Sequence, residues 1–154
     1  MFLKEQSQIS KMTSTKLKIL DQRRSTRKNS IALICPTNKY GKSATSSIYY
    51  PMGILLVGSY VKDTYPHWEV SLYDGERYSQ EELKGKLADF NIVGLSSNTN
   101  NYPLCVELAN AAKMSGVEKV ILGGPHATAL PTQILRNQES IDAIVVFDGE
   151  IAFL

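Results

Sequence analysis

Val120-Ile121-Leu122-Gly123-Gly124-Pro125-His126-Ala127-Thr128 joins a short apolar run to a pair of glycines. The apolar run reads as a buried strand. The glycines end it, because a residue without a Cβ lets the chain turn sharply and lets a ligand lie directly on backbone. One unit earlier, Ile92-Val93-Gly94-Leu95 opens into Ser96-Ser97-Asn98-Thr99-Asn100-Asn101, with no charge in the loop. Two strands that end this way predict one neutral floor at a sheet rim, suited to a large, mostly uncharged, amide-rich ligand. His126 stands beside that floor, where it either touches ligand or braces the helix expected to begin near Pro131.

Working outward, Ile31–Cys35 is an apolar run of the kind covered on both faces, and Pro36 ends it. A loop of Ser, Thr, Asn and Lys follows to Tyr50. Pro51 suits the first position of a helix. The segment from Met52 to Val61 is apolar almost all round, which predicts close packing on a sheet, with Gly53 and Gly58 permitting the approach. Trp68–Tyr73 alternates and reads as an edge strand. Asp74-Gly75 turns the chain. Ser79-Gln80-Glu81-Glu82 is a capping box. Further strands are expected at Asn91–Leu95, Lys119–Leu122 and Ile141–Phe147. Helices are expected at Pro103–Ser115, stopped by Gly116, and at Pro131–Asn137. Asp148-Gly149-Glu150 then turns out of the last strand; Glu150 points into the cleft or caps the next helix.

Five strands alternating with helices specify an α/β fold: a doubly wound, flavodoxin-like (Rossmann-like) parallel sheet with right-handed crossovers. The order 2-1-3-4-5 puts the alternating strand at an edge, and ligands then sit beyond the carboxyl ends of the strands.

The net charge of +2 conceals an asymmetry. The first thirty residues hold eight Lys or Arg against Glu5 and Asp21, so the remainder carries a net negative charge. The basic stretch lacks interleaved aromatics. It reads as a mobile tail over 1–29, with a short helix near Met12–Leu20, ahead of one domain over 30–154; no nucleic-acid partner is expected. No apolar run approaches the roughly 20 residues that cross a bilayer, and no membrane association is expected. Cys35 and Cys105 form neither a disulfide framework nor a metal-ligand spacing, which fits thiols in a reducing cytoplasm. Two histidines and two separated cysteines support no metal site.

Gly41-Lys42-Ser43 ends like a phosphate-binding loop, but such a motif needs glycine where Pro36 stands, and it must open directly into a helix. A P-loop-like or FMN-binding α/β domain is the alternative reading; for a flavin ring only Tyr40, Tyr49, Tyr50 or Tyr102 is at hand.

The ordered set Tyr50–Leu56, Tyr73–Glu76, Ile92–Thr99, Leu122–Thr128 and Asp148–Glu150 resembles the N-terminal cobalamin (vitamin B12)-binding domain of cobalamin-dependent radical S-adenosylmethionine enzymes. The likeness covers residues 30–154. In that wider family a Ser-x-Leu after the third strand and a Gly-Gly after the fourth line the cofactor. Ser96 and Gly123-Gly124 match; Asn98 stands where the Leu would be. A further branch carries Asp-x-His-x-x-Gly after the first strand, its His on cobalt. No His lies between Cys35 and Tyr50, so the resemblance implies cobalamin held without a protein histidine. It implies cofactor contacts from Ser96, Ser97, Asn98, Thr99, Asn100, Gly123, Gly124, Pro125, His126, Gly149 and Glu150. It also implies a methyltransferase-like parent enzyme with S-adenosylmethionine and a [4Fe-4S] cluster. The Cys-x-x-x-Cys-x-x-Cys run that holds such a cluster does not occur in this chain, so a C-terminal radical domain is expected to lie beyond it. This chain is then expected to bind and not to catalyse, and a valine at Gly124 to abolish corrin retention while the fold survives.

Overall fold

The structure, a computed structural model, describes residues 29–37 and 51–153. The basic tail through residue 28, the helix expected at Met12–Leu20, and Tyr40, Lys42, Tyr49 and Tyr50 lie outside the described residues. Strands β1 (Ser30–Cys35), β2 (Glu69–Asp74), β3 (Ile92–Ser96), β4 (Lys119–Gly123) and β5 (Ala143–Ile144) form one parallel sheet in the order 2-1-3-4-5. This is the flavodoxin-like α/β topology expected from the sequence.

Side-chain alternation along β1 feeds two cores. Ala32 and Ile34 face the helices α2 (Gln80–Lys86) and α3 (Tyr102–Met114), packing with Leu83, Leu108, Ala109 and Ala112. Ile31 and Leu33 face α1 (Met52–Thr64), packing with Ile54 and Val61. The alanines of α3 let it lie close on the sheet, and Leu108 is fully buried there. Truncating such a leucine to alanine costs about 2–5 kcal/mol.

Local signals act as expected. Ser79 and Glu82 complete the capping box of α2, and Gly116 takes φ 83° just past the end of α3. Gly58 lets α1 approach, since a Cβ there would stand 3.0 Å from the Leu72 side chain. Gly53 does not, because nothing lies within 4 Å of its would-be Cβ. Helix α1 buries only one stripe, leaving Met52 57% and Leu56 49% exposed.

Two expectations are corrected. Helix after the glycine pair begins before Pro131: Pro125 opens a short helix, α4 (Pro125–Ala129), followed by α5 (Pro131–Asn137). Its Thr128 N–H closes on the Gly124 carbonyl at 3.0 Å. The fifth strand is also far shorter than the apolar run at 141–147. Val145 N–H still donates to the Leu122 carbonyl, but Phe147 then takes φ 61° and is 81% exposed. That left-handed residue ends the extended backbone, its N–H held by the Thr128 hydroxyl at 3.1 Å. The chain returns as α6 (Gly149–Ala152), which packs against α1. No helix among the described residues is long and apolar enough to cross a membrane.

Candidate functional site

The carboxyl ends of β3 and β4 stand side by side, with Ser96 paired in register with Gly123. One flank of this edge is locked by hydrogen bonds. Ser97 is 1% exposed, and both its N–H and its hydroxyl donate to the Gly123 carbonyl at 2.8 Å. Its own carbonyl accepts the His126 N–H at 3.2 Å. Gly124 takes φ +92°, and a Cβ there would fall 2.5 Å from the Ser97 carbonyl oxygen. Only glycine fits, so Gly124 and Ser97 shape the rim from within.

The asparagine loop is equally committed. Asn98 N–H donates to Asn101 Oδ1 at 2.7 Å, and Asn98 Oδ1 accepts from the N–H groups of Asn100 and Asn101. Buried Asn101 donates from Nδ2 to the carbonyls of Pro36 at 2.7 Å and Ser96 at 3.3 Å. It is the tie between the ends of β1 and β3. Asn98, Thr99, Asn100 and Pro125 lie on the outer rim. The His126 ring stacks on Tyr102 with centroids 4.2 Å apart, and its Nδ1 stands 3.4 Å from the Thr99 hydroxyl. His126 thus braces α4 against the start of α3. Tyr102 is itself engaged in that stack, and burial raises its phenol pKa against a hydrogen bond with Gln138.

The other flank is open. A cavity of about 130 Å³ lies between the sheet, α1 and α6. Of the expected site residues it gathers Ser96, Gly123, Gly124 and Gly149. Ser97, Asn98, Thr99, Asn100, Pro125, His126 and Glu150 do not line it. Glu150 sits half-buried in the first turn of α6.

The walls are residues that sequence reasoning left out: Leu33, Ile54, Val57, Ile121, Val145 and Phe153. The floor is Gly94, where a Cβ would stand 2.6 Å from the Leu33 side chain and 2.7 Å from the Phe153 ring. A glycine inside a strand marks close approach to its backbone, and that signal was present in the sequence. Gly149 lets α6 close on α1, since a Cβ there would meet Val57 at 3.0 Å. At Gly123 there is room, the nearest atoms lying 3.9 Å from a built Cβ.

Among the described residues no charged side chain lines the cavity, and Ser96 supplies the one hydrogen-bonding side chain. Cys35 lies beside Ser96; burial first, then the nearby Asp74 carboxylate, raises its thiol pKa despite a hydrogen bond with Ser96. Cys105 is buried, and desolvation raises its thiol strongly as well. Both thiols are free and held protonated, so neither is a ready nucleophile. Among the described residues no three His, Cys, Asp or Glu side chains gather in a metal-binding group. The arrangement can enclose a flat apolar group, orient it through one hydroxyl, and leave a larger neutral body on the rim.

Among known proteins, the uncharacterized methyltransferase PH0819 of Pyrococcus horikoshii is 27% identical over 128 residues. The match covers 80% of this chain but only 27% of that protein. A crystal structure of the P1 domain of CheA3 in complex with CheY6 from R. sphaeroides aligns at TM-score 0.48 and 16% identity, over 78% of this chain and 82% of that one. The family model described as the B12 binding domain matches residues 42–154, most of the chain. This chain belongs to the B12 binding domain family.

Proposed function

We propose that this chain binds cobalamin at the carboxyl edge of its sheet and presents it for chemistry carried out by a larger protein. One observation carries the reading: Ser96 and Gly123 stand in register over a neutral, half-open cavity floored by Gly94. The fit is chemical as well as spatial. A corrin already supplies nitrogen ligands to its metal, so the protein needs shape and neutral hydrogen-bonding groups rather than a cluster of metal ligands.

In this reading the cavity takes the nucleotide tail, with the Ser96 hydroxyl as its polar contact and Gly123 keeping the entrance wide. Gly124, Ser97 and Asn101 hold the two strand ends at the spacing the tail requires. Asn98, Thr99, Asn100, Pro125 and His126 border the corrin and meet its peripheral amides, and Gly149 and Glu150 close the far side. His126 stays committed to Tyr102 and Thr99, so cobalamin is held without a protein histidine on the metal. When bound, the cofactor supplies the methyl-transfer or radical chemistry, and this chain positions it.

We further infer that the domain, residues 30–154, serves a cobalamin-dependent radical S-adenosylmethionine enzyme of the methyltransferase kind. Its [4Fe-4S] cluster and S-adenosylmethionine site then belong to another part of that protein. The name of the matched Pyrococcus protein and the small share of it that is covered support this reading.

The test is direct. The purified chain is mixed with hydroxocobalamin, desalted, and its visible spectrum recorded. Retention of the corrin bands at about one equivalent is expected, and Gly123→Val, which fills the entrance, is expected to lose them while the circular dichroism spectrum stays intact. Absence of retention by the folded native chain overturns the proposal.

A further inference from the structure

The hydrogen-bonding capacity of the cavity is nearly exhausted before any ligand enters. The Gly123 carbonyl already accepts two donors from Ser97, the Ser96 carbonyl accepts from Asn101, and the Gly124 carbonyl accepts from Thr128. Among the described residues, the side chains that face the space beyond the Ser96 hydroxyl are hydrocarbon, Leu33, Ile54, Val57, Ile121, Val145 and Phe153 among them. An apolar cavity of about 150 Å³ takes up a benzene-sized guest; this space, about 130 Å³ and half open to the rim, admits the apolar edge of a ring of that kind.

We propose that this cavity selects among cobamides by the lower base, accepting benzimidazole-type bases and rejecting purines. The proposal rests on the cobalamin reading above and deepens it. A benzimidazole base freed from the metal has one acceptor nitrogen on otherwise apolar rings, and the Ser96 hydroxyl, turned from the Cys35 thiol, offers one donor. An adenine base brings further ring nitrogens and an exocyclic amine. Each would leave water for a wall of Leu, Ile and Val side chains, where the described residues offer it no partner. A buried polar group without a partner costs about a factor of ten in affinity or more.

Equilibrium dialysis of the native chain against three corrinoids tests this: cobalamin, the adenine-containing cobamide, and cobinamide, which has no base. Cobalamin is expected to bind at least about tenfold more tightly than the adenine cobamide, with cobinamide also weaker than cobalamin. Val57→Thr keeps the side-chain shape and adds one hydroxyl to the wall. It is expected to narrow the gap between cobalamin and the adenine cobamide while leaving cobinamide unchanged; Val145→Thr serves the same purpose should Val57→Thr not fold. Equal or tighter binding of the adenine cobamide overturns the selectivity. Equal binding of cobinamide and cobalamin shows that the base does not enter the cavity and overturns it too. If no corrinoid binds, cobinamide included, the cobalamin reading itself falls and the selectivity falls with it.

Discussion

The two flanks of the β3–β4 edge are built on opposite principles. Toward α3 and α4, polar groups are spent on one another: Ser97 on Gly123, Asn98 on Asn101, His126 on Tyr102 and Thr99. Toward α1 and α6, hydrocarbon surrounds a space that the described residues do not fill. The polar flank is the scaffold and the apolar flank is the receptacle. Polar residues at a sheet rim attract attention as binding groups, yet a buried polar side chain is most valuable where it satisfies backbone that would otherwise go unpaired.

The adjacent glycines test this division most sharply. Gly124→Val forces a β-branched residue to φ +92° and drives its Cβ into the Ser97 backbone. We expect a loss of several kcal/mol or outright unfolding, read as the urea midpoint. The sequence alone suggests that this substitution spares the fold; the close approach of Ser97 reverses that expectation. Gly123→Val is the counterpart. Its Cβ has room, so the unfolding free energy is expected to change by less than about 1 kcal/mol, while corrinoid affinity falls at least about tenfold. Equal stability loss in the two variants would erase the distinction between the flanks.

Smaller effects sharpen it. Ser97→Ala removes one of the two donors on the Gly123 carbonyl but leaves the backbone donor in place. A destabilisation of about 1 kcal/mol by chemical denaturation is expected, with corrinoid affinity changed less than for Gly123→Val. The smallest effect belongs to the opposite end of the sheet. Burial would raise the Asp142 carboxyl pKa, but hydrogen bonds from Lys113 and the Val120 N–H, and the charges of Lys113 and Lys119, outweigh it and hold the pKa below the ordinary value. A carboxylate depressed in the folded state stabilises at pH values above its unfolded pKa of about 3.9 and loses that contribution as pH falls through its folded value. Asp142→Asn is therefore expected to flatten the fall in stability below about pH 4 and to leave corrinoid retention at pH 7 unchanged. An unaltered acid profile would show that the Lys113 pairing contributes nothing.

The frame was legible because its signals are local. Ser79 and Glu82 name a helix start, Gly116 names a helix end, and the alternation at 68–73 puts β2 at the edge. The end of β5 was not legible. Nothing in the order Ile141-Asp142-Ala143-Ile144-Val145-Val146-Phe147 distinguishes its paired half from the half that turns away. The left-handed turn at Phe147 depends on the Thr128 hydroxyl nineteen residues away. The cavity walls were hidden for a related reason. Leu33, Val57 and Phe153 come from three separate parts of the chain and read individually as core, and only the packing of α6 against α1 leaves a gap between them. The floor was half legible: Gly94 interrupts an apolar strand, and its lack of a side chain takes on meaning once the Phe153 ring is seen against it.

The pair at 123 and 124 also bears on how such a domain can change over generations. Position 124 is frozen by its own backbone, so inherited variation there is removed with the fold. Position 123 accepts a methyl group at little cost to the frame. One substitution at that position can therefore retune the width of the doorway, and with it the guest admitted, while everything that keeps the protein folded stays as it was.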